Sequence, residues 1–294
     1  MEITTSGLAL RHATANQCLQ IPGAPNALTA RLIERYGFEA MYLSGAAFSA
    51  GELALPDVGL FTLTELVDQA KRLTATANIP LIVDADTGFG DAVNVERTVF
   101  ELESAGAAAI QLEDQQLPKR CGHLSGKTLV EPQVMCAKLR AATASRADTD
   151  TVIIARTDAR GVEGFEAAIE RAKQYLDAGT DWIFPEALES EDEFATFAKQ
   201  IDAPLLANMT EFGKSPLLST QTLGEMGYAA VLYPVTLLRV AMRASEAALA
   251  MLAGEGHQRE LLDLMQTREE LYDLLEYEEY EQRDQQYRSP DQSI

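Results

Sequence analysis

Short apolar runs alternate with helix-period segments along almost the whole chain. AMYLSG (40–45), PLIVDAD (80–86), AAIQLED (108–114), TVIIARTD (151–158), WIFPEA (182–187), PLLANM (204–209) and AAVLYP (229–234) read as buried strands, and CLQIPGA (18–24) makes an eighth. Between them, LTELVDQAKRLTATA, VNVERTVFELESAG and FEAAIERAKQYLDAG carry apolar residues at three- and four-residue spacing. Two of these end in Ala-Gly, a helix stop. Eight such units in 294 residues favour one closed barrel over an open doubly wound sheet, and no GxGxxG follows any strand. The predicted fold is α/β: a single (β/α)8 barrel domain over residues 1–294, with additional helices at 236–254 and 258–280 and a polar, frayed tail at 281–294. The stripe Leu261, Leu264, Met265, Leu271, Leu274 and Leu275 asks the second helix to bury one face.

Most of these strands finish in chemically capable residues: Ser44, Asp84 and Asp86, Glu113, Arg156 and Asp158, Glu186, Asn208. One such ending is a turn former; six of eight point to an active site at the C-terminal mouth of the barrel. Asp84 and Asp86, two apart on a strand, share a face. With Glu113 from the next strand they form an all-oxygen set suited to Mg²⁺ or Mn²⁺ rather than zinc. The alternative is a loop cap plus an arginine partner.

Lys119–Lys127, KRCGHLSGK, gathers cations around Cys121 inside a patternless stretch from Gln115 to Val130 that reads as an active-site lid. Lys119, Arg120 and His123 beside the thiol would lower its pKa and make it a competent acid, base or nucleophile. Cys18 and Cys136 read as small buried hydrophobes. Three cysteines without CxxC spacing argue against a disulfide framework or a structural zinc site. A formal charge of −21 argues against nucleic acid or an anionic membrane as partner. No apolar run nears the roughly 20 residues of a membrane span, and no signal peptide is visible, so a cytoplasmic protein is expected. The acidic surface fits a salt-rich cytoplasm and a merely acidic protein equally.

KRCGH resembles the signature of the isocitrate lyase and phosphoenolpyruvate mutase superfamily. YLSG (42–45), LPDVG, VDADTGFG, ED (113–114), ARTDA, FPEA, LLANMTEFG, VLYP and the tail MQTREELYDLLEYEEYE (265–281) resemble, in order, the 2-methylisocitrate lyases within it. The resemblance implies Mg²⁺ on Asp84 and Asp86, with Asp57 and Glu113 contributing through water. It implies Cys121 as catalytic acid/base, with Tyr42 as candidate base and Glu186 also in the catalytic set. Gly122, His123, Arg156, Glu186, Asn208, Thr210, Arg239 and Arg268 would contact a tricarboxylate substrate, and Ser44, Gly45 and Ala46 its 2-oxo acid end. Phe184 and Leu232 would form an apolar niche for a methyl group. Where the family reads Ser-Gly-Gly-Gly, this chain reads Ser-Gly-Ala-Ala at 44–47. The implied reaction is cleavage of 2-methylisocitrate to pyruvate and succinate in propionate catabolism (the methylcitrate cycle), by a homotetramer whose C-terminal helices are exchanged between subunits. Isocitrate lyase and 2,3-dimethylmalate lyase or oxaloacetate hydrolase are the rival activities.

Overall fold

All eight apolar runs become parallel strands, each slightly shorter than its run: β1 (Leu19–Pro22), β2 (Met41–Leu43), β3 (Leu81–Asp84), β4 (Ala109–Glu113), β5 (Val152–Thr157), β6 (Trp182–Pro185), β7 (Leu206–Asn208) and β8 (Ala230–Tyr233). This computed structural model describes residues 5–288. Five strands pair in the order β2-β3-β4-β5-β6 and three in the order β1-β8-β7. Single parallel bridges, Gly23 to Tyr42 and Ile183 to Leu205, join the two sheets at both seams. The ring is closed, and the α/β barrel expected from the alternation is what forms.

Period-two alternation sorts the strand residues. Ile21, Tyr42, Ile82, Ile154, Trp182, Phe184 and Leu232 fill the barrel interior. Their neighbours Met41, Leu43, Val83, Ile110, Ile153, Ile183 and Val231 pack outward against the helices. Those helices are α2 (Ala27–Arg35), α3 (Gly45–Leu53), α4 (Leu63–Thr74), α5 (Ala92–Ser104), α6 (Pro132–Ser145), α7 (Phe165–Asp177), α8 (Glu191–Gln200) and α9 (Thr220–Met226); α1 (Ser6–Thr14) is placed differently. Caps fix several starts: Asn26, Ser190 and Ser219 accept backbone N–H groups three residues on, and Thr62 forms a reciprocal box with Glu65.

At the N-terminal end of the barrel, α1 inserts Leu10 into the interior cluster. Arg11 holds it there, donating to the Asp150 carbonyl and, at 2.9 Å, to Asp181, whose other oxygen accepts from Arg146 at 2.7 Å. No motif in the sequence announced this clamp.

The chain divides into a barrel unit, residues 1–239, and a smaller unit, residues 240–294. α10 (Thr236–Glu255) carries no buried residue. The single helix expected over 258–280 does not form. A 3-10 segment at Arg259–Leu264 precedes α11 (Arg268–Leu274) and α12 (Tyr277–Arg288), because Thr267 and Glu270 form a capping box that starts a new helix. Of the apolar stripe, Leu261 and Leu274 are buried while Leu264 is 81% exposed. The stretch expected to fray from 281 is helical through Arg288; residues 289–294 of that stretch lie outside the described residues.

Candidate active site

The C-terminal ends of the strands surround a cavity of about 80 Å³. Tyr42, Ser44, Ala46, Asp57, Asp84, Cys121, Gly122, His123, Arg156, Phe184, Glu186, Asn208, Thr210, Leu232 and Arg239, scattered through the sequence, all line it. Gly45, Asp86 and Glu113 stand immediately behind the lining. Arg268 opens α11 in the second unit, outside the barrel unit that carries the others. A larger, open hollow of about 680 Å³ lies within the second unit, but carboxylates and two tyrosines line it, without a nucleophile or a cation, so it offers no chemistry.

Where β2 ends, Ser44 caps α3 by accepting the Ala47 N–H, and the Gly45 N–H donates to Asp84 Oδ2 at 3.1 Å. A Cβ on Gly45 would sit 2.9 Å from Asp86 Oδ1, so this approach requires glycine. Of the two alanines that replace glycine in the family pattern, only Ala46 faces the cavity; Ala47 is buried away from it.

The carboxylate set has a resident cation that the sequence did not reveal. Lys119 Nζ lies 2.5 Å from Asp57 Oδ1 and 2.6 Å from Asp86 Oδ1, and is itself buried. Asp86 adopts a left-handed backbone, φ 47°, strain that a non-glycine residue holds only when its surroundings enforce it. Burial first, then Asp84 and Asp57, push Asp86 up to about 7 against the pull of Lys119. Burial likewise raises Glu113 well above the carboxylate range, despite Arg156 at 3.5 Å and Lys119. Glu186 goes the other way. Burial opposes ionisation there too, but Arg156, then His123 and Lys127, outweigh it and bring its pKa down to about 2. Two buried carboxyls beside one arginine are thus driven apart, Glu113 toward the acid and Glu186 toward the anion.

A divalent ion fits this ground. Asp57 Oδ1, Asp86 Oδ1 and Glu113 Oε1 are buried carboxylate oxygens with no aligned hydrogen-bond donor. Among the described residues no three His, Cys, Asp or Glu groups form a finished cage. A hard ion that keeps several waters, and is held by one or two carboxylates plus substrate, needs none.

The Cys121 loop is tied down at many points. Gln115 and Leu129 form an antiparallel bridge at its base. The Gln115 side chain donates to the Arg120 carbonyl at 2.8 Å and accepts the Arg120 N–H at 2.9 Å. Lys127 donates to the Gly122 carbonyl and pairs with Asp158 at 2.6 Å. Gly122 packs so closely on Arg156 and Glu186 that a Cβ would overlap both. His123 has a defined tautomer. The Lys214 N–H donates to Nδ1 at 2.9 Å, so the proton is on Nε2, 2.8 Å from Glu186, although that contact is bent away from good hydrogen-bond geometry. Lys119 and His123 are therefore engaged elsewhere and do not serve Cys121 as the neighbouring cations the sequence suggested.

Tyr42 also departs from expectation. Its hydroxyl donates to Gln111 Oε1 at 2.6 Å, and burial first, then Asp84, push its pKa well above 10. A phenol so placed is a hydrogen-bond donor and a poor base. Cys136 is buried as anticipated, whereas Cys18 is only half-buried.

The chain is 54% identical over 279 residues to a 2-methylisocitrate lyase of Aeropyrum pernix, covering 95% of this chain and 90% of that protein. It is 49% identical to a 2-methylisocitrate lyase of Bacillus subtilis over 92% of this chain and 89% of the relative. The phosphoenolpyruvate phosphomutase family model matches residues 9–253. The chain belongs to this family, on its 2-methylisocitrate lyase branch. Among solved structures, a 2,3-dimethylmalate lyase of the PEP mutase/isocitrate lyase superfamily superposes with a TM-score of 0.91 at 32% identity, over 99% of this chain and 100% of the other. A phosphonopyruvate hydrolase solved with oxalate and Mg²⁺ gives 0.88 at 32%, over 97% and 100%.

The family resemblance did not supply several groups that shape the cavity. Gln111, inward on β4 two residues before Glu113, was readable from the period-two alternation alone. Lys127 and Asp158 lie in stretches the sequence singles out, but nothing local announces that they pair across different elements. Asp114 accepts the Asp158 N–H at 2.9 Å, the Thr157 hydroxyl at 2.7 Å and the Tyr175 hydroxyl at 2.8 Å, and its own carbonyl accepts the Val130 N–H, anchoring β5, α7 and the return limb of the loop together.

Proposed function

We propose that this chain is a Mg²⁺-dependent carbon–carbon lyase that cleaves 2-methylisocitrate to pyruvate and succinate. The observation that carries the reading is the meeting, in one cavity, of Cys121 on a pinned loop with Arg156, His123 and Asn208 and with the carboxylates Asp57 and Asp84, Asp86 being paired to the same Lys119 as Asp57. Relatives of that name at 54% and 49% identity support the substrate, and the Mg²⁺ bound by the phosphonopyruvate hydrolase supports the metal.

Asp84 and Asp86, together with Asp57 and Glu113, would hold the ion, which would supply a Lewis acid for the 2-hydroxy acid end of the substrate. The chain's own residues do the rest. Ser44 and Ala46 border the side where the 2-oxo acid forms, and Tyr42, its proton committed to Gln111, presents an acceptor oxygen there. Arg156, Asn208, Thr210 and Arg239 receive the remaining carboxylates. His123, protonated on Nε2 and held by Glu186, presents a fixed edge to the succinate carboxylate. As the 2-oxo group forms, the substrate hydroxyl gives its proton to a carboxylate at the mouth, Asp57 or Asp84; the electron pair of the breaking carbon–carbon bond stays on the succinate carbon, and the Cys121 thiol gives its proton there. The pinned loop excludes water from that carbanion.

Phe184 and Leu232, both buried and both lining the cavity, form the niche for the methyl group. Filling it is worth roughly 1–3 kcal/mol, about a 10- to 200-fold preference over isocitrate. A coupled assay of purified protein, reading pyruvate from 2-methylisocitrate and glyoxylate from isocitrate, tests this. Equal or higher kcat/KM on isocitrate overturns the substrate. Full turnover after chelation overturns the metal.

Assembly belongs to the same proposal. α10 exposes Val240, Met242 and Leu249, and Leu262 and Leu264 are exposed beyond it, apolar surface that copies of this chain would cover in a cytoplasmic homotetramer with exchanged helices. A monomer by light scattering in stabilising salt would refute it. Among the described residues no helix is long and apolar enough to cross a membrane.

A further inference from the structure

Gln111 is fully buried on β4 and does not line the cavity, yet it joins two residues that do. Its Oε1 accepts the Tyr42 hydroxyl at 2.6 Å, and its Nε2 donates to Asp84 Oδ1 at 3.0 Å. Asp84 Oδ1 also receives the Asp86 N–H at 3.3 Å, and Oδ2 the Gly45 N–H at 3.1 Å. Neutral donors therefore hold both oxygens of Asp84, whereas Asp57 and Asp86 lean on Lys119.

The direction of this chain of hydrogen bonds is forced. Turning the amide over would set its carbonyl oxygen against the Asp84 carboxylate, two acceptors face to face, and its NH2 against a phenol that would then have no acceptor. With the amide as found, each group polarises the next, from hydroxyl to carbonyl and from N–H to carboxylate. One neutral side chain thus keeps Tyr42 a protonated donor and Asp84 a carboxylate of fixed orientation.

We infer that Gln111 is a positioning residue for both sides of the reaction: it aims Asp84 for a divalent cation and, by accepting the Tyr42 proton, turns the lone pairs of the Tyr42 oxygen toward the 2-oxo acid end of the substrate. It acts through those two residues and touches neither ligand. The inference rests on the metal-dependent lyase reading and deepens it. Partners that orient a metal ligand from behind are worth about 10- to 100-fold in metal affinity, and the same range is expected here.

The test uses the full-length protein and Mn²⁺ as the probe, with free Mn²⁺ counted by electron paramagnetic resonance in the absence of substrate. Gln111→Met keeps the side-chain length and removes both the acceptor and the donor. It is expected to fold, to weaken Mn²⁺ by about 10- to 100-fold, and to lower kcat by more than saturating metal restores, because the Tyr42 hydroxyl is released as well. Tyr42→Phe is the second variant: it leaves Gln111 in place but removes the group that fixes its amide, so a smaller loss of Mn²⁺ affinity, about 2- to 10-fold, is expected. Unchanged Mn²⁺ affinity in a folded Gln111→Met protein overturns the inference. If that variant does not fold, unchanged affinity in Tyr42→Phe does the same. A wild-type protein that binds no Mn²⁺ at all instead overturns the metal-dependent reading, and the inference with it. Wild-type binding with weakened variants supports the inference even if the preferred substrate proves to be another 2-hydroxy acid.

Discussion

Replacing Lys119 by methionine tests the carboxylate mouth most directly. Lys119 is 4% exposed and lies within 2.6 Å of both Asp57 and Asp86. Burial works against its charge, but Glu113, Asp86, Asp84 and Asp57 together hold the ammonium protonated far above its ordinary range. Removing one partner from a buried ion pair costs about 3–5 kcal/mol if the abandoned charge stays ionised. Asp86 has an escape, since it can take a proton. Its pKa is raised to about 7 in the folded state, chiefly by burial, against 3.8 as its ordinary value. A carboxyl raised on folding contributes stability at low pH that is lost as pH climbs through the folded pKa. In the wild type that loss levels off near pH 7, where Asp86 ionises beside Lys119. In Lys119→Met it continues, because the native state must keep the proton. The gap between the two proteins should therefore be small at pH 6 and widen by about 1.4 kcal/mol per pH unit above 7. At pH 9 that is about 3 kcal/mol, or roughly 6–12 °C in Tm for a chain of this size. Thermal melts of both proteins in chelator at pH 6, 7.5 and 9 measure it. A Tm gap that does not change with pH, or that closes toward pH 9, would refute this account of the mouth.

Cys121→Ser should keep the fold, with Tm within a few degrees, and lose about 10²- to 10⁴-fold in turnover, because a hydroxyl is a far weaker acid than a thiol; near-normal kcat in the coupled assay would make Cys121 a bystander. Asp181→Ala removes the shared acceptor of Arg11, Arg146 and the Ile153 N–H, so denaturant melts should show a loss of about 2–4 kcal/mol. Because that clamp lies at the end of the barrel opposite the cavity, kcat/KM should not move, and a large change in it would contradict the separation of stability face from reaction face.

The barrel was legible because a strand covered on both faces must be continuously apolar, and eight such runs with helices between them leave few alternatives. The site was legible wherever the chemistry sits at a strand end, as with Asp84, Glu113, Arg156, Glu186 and Asn208. What stayed hidden depends on pairing across distant elements. KRCGH shows cations beside a thiol, but nothing local says that Lys119 folds onto Asp57 and Asp86, or that His123 is claimed by Glu186 and the Lys214 amide. Tyr42 has the right residue type for a base, and only the Gln111 carbonyl in front of it turns it into a donor. The break in the C-terminal helix is a different kind of miss. Thr267 and Glu270 carry a capping-box signature that the apolar stripe of leucines masks.

The same pairings change how a chain of formal charge −21 can receive a tricarboxylate. The cluster of cations seen in the sequence suggests a locally positive spot, yet among the described residues Arg120 alone of the strong cations lining the cavity or in that cluster forms no ion pair with a carboxylate. Lys119 is taken by Asp57 and Asp86, Lys127 by Asp158, Arg239 by Glu211, and Arg156 is shared among Asp158, Glu113 and Glu186. A resting mouth arranged this way is close to neutral and does not by itself reverse the field of the protein. Its buried carboxyls resist ionisation instead, as the raised pKa values of Asp86 and Glu113 record. A divalent ion bound there would convert them to anions and still leave positive charge facing outward, so metal and substrate should each raise the affinity of the other. On this logic the acidic pairs are a socket that stays near neutral until the ion arrives, and the arginines orient a substrate that the ion, rather than the arginines, makes electrostatically welcome.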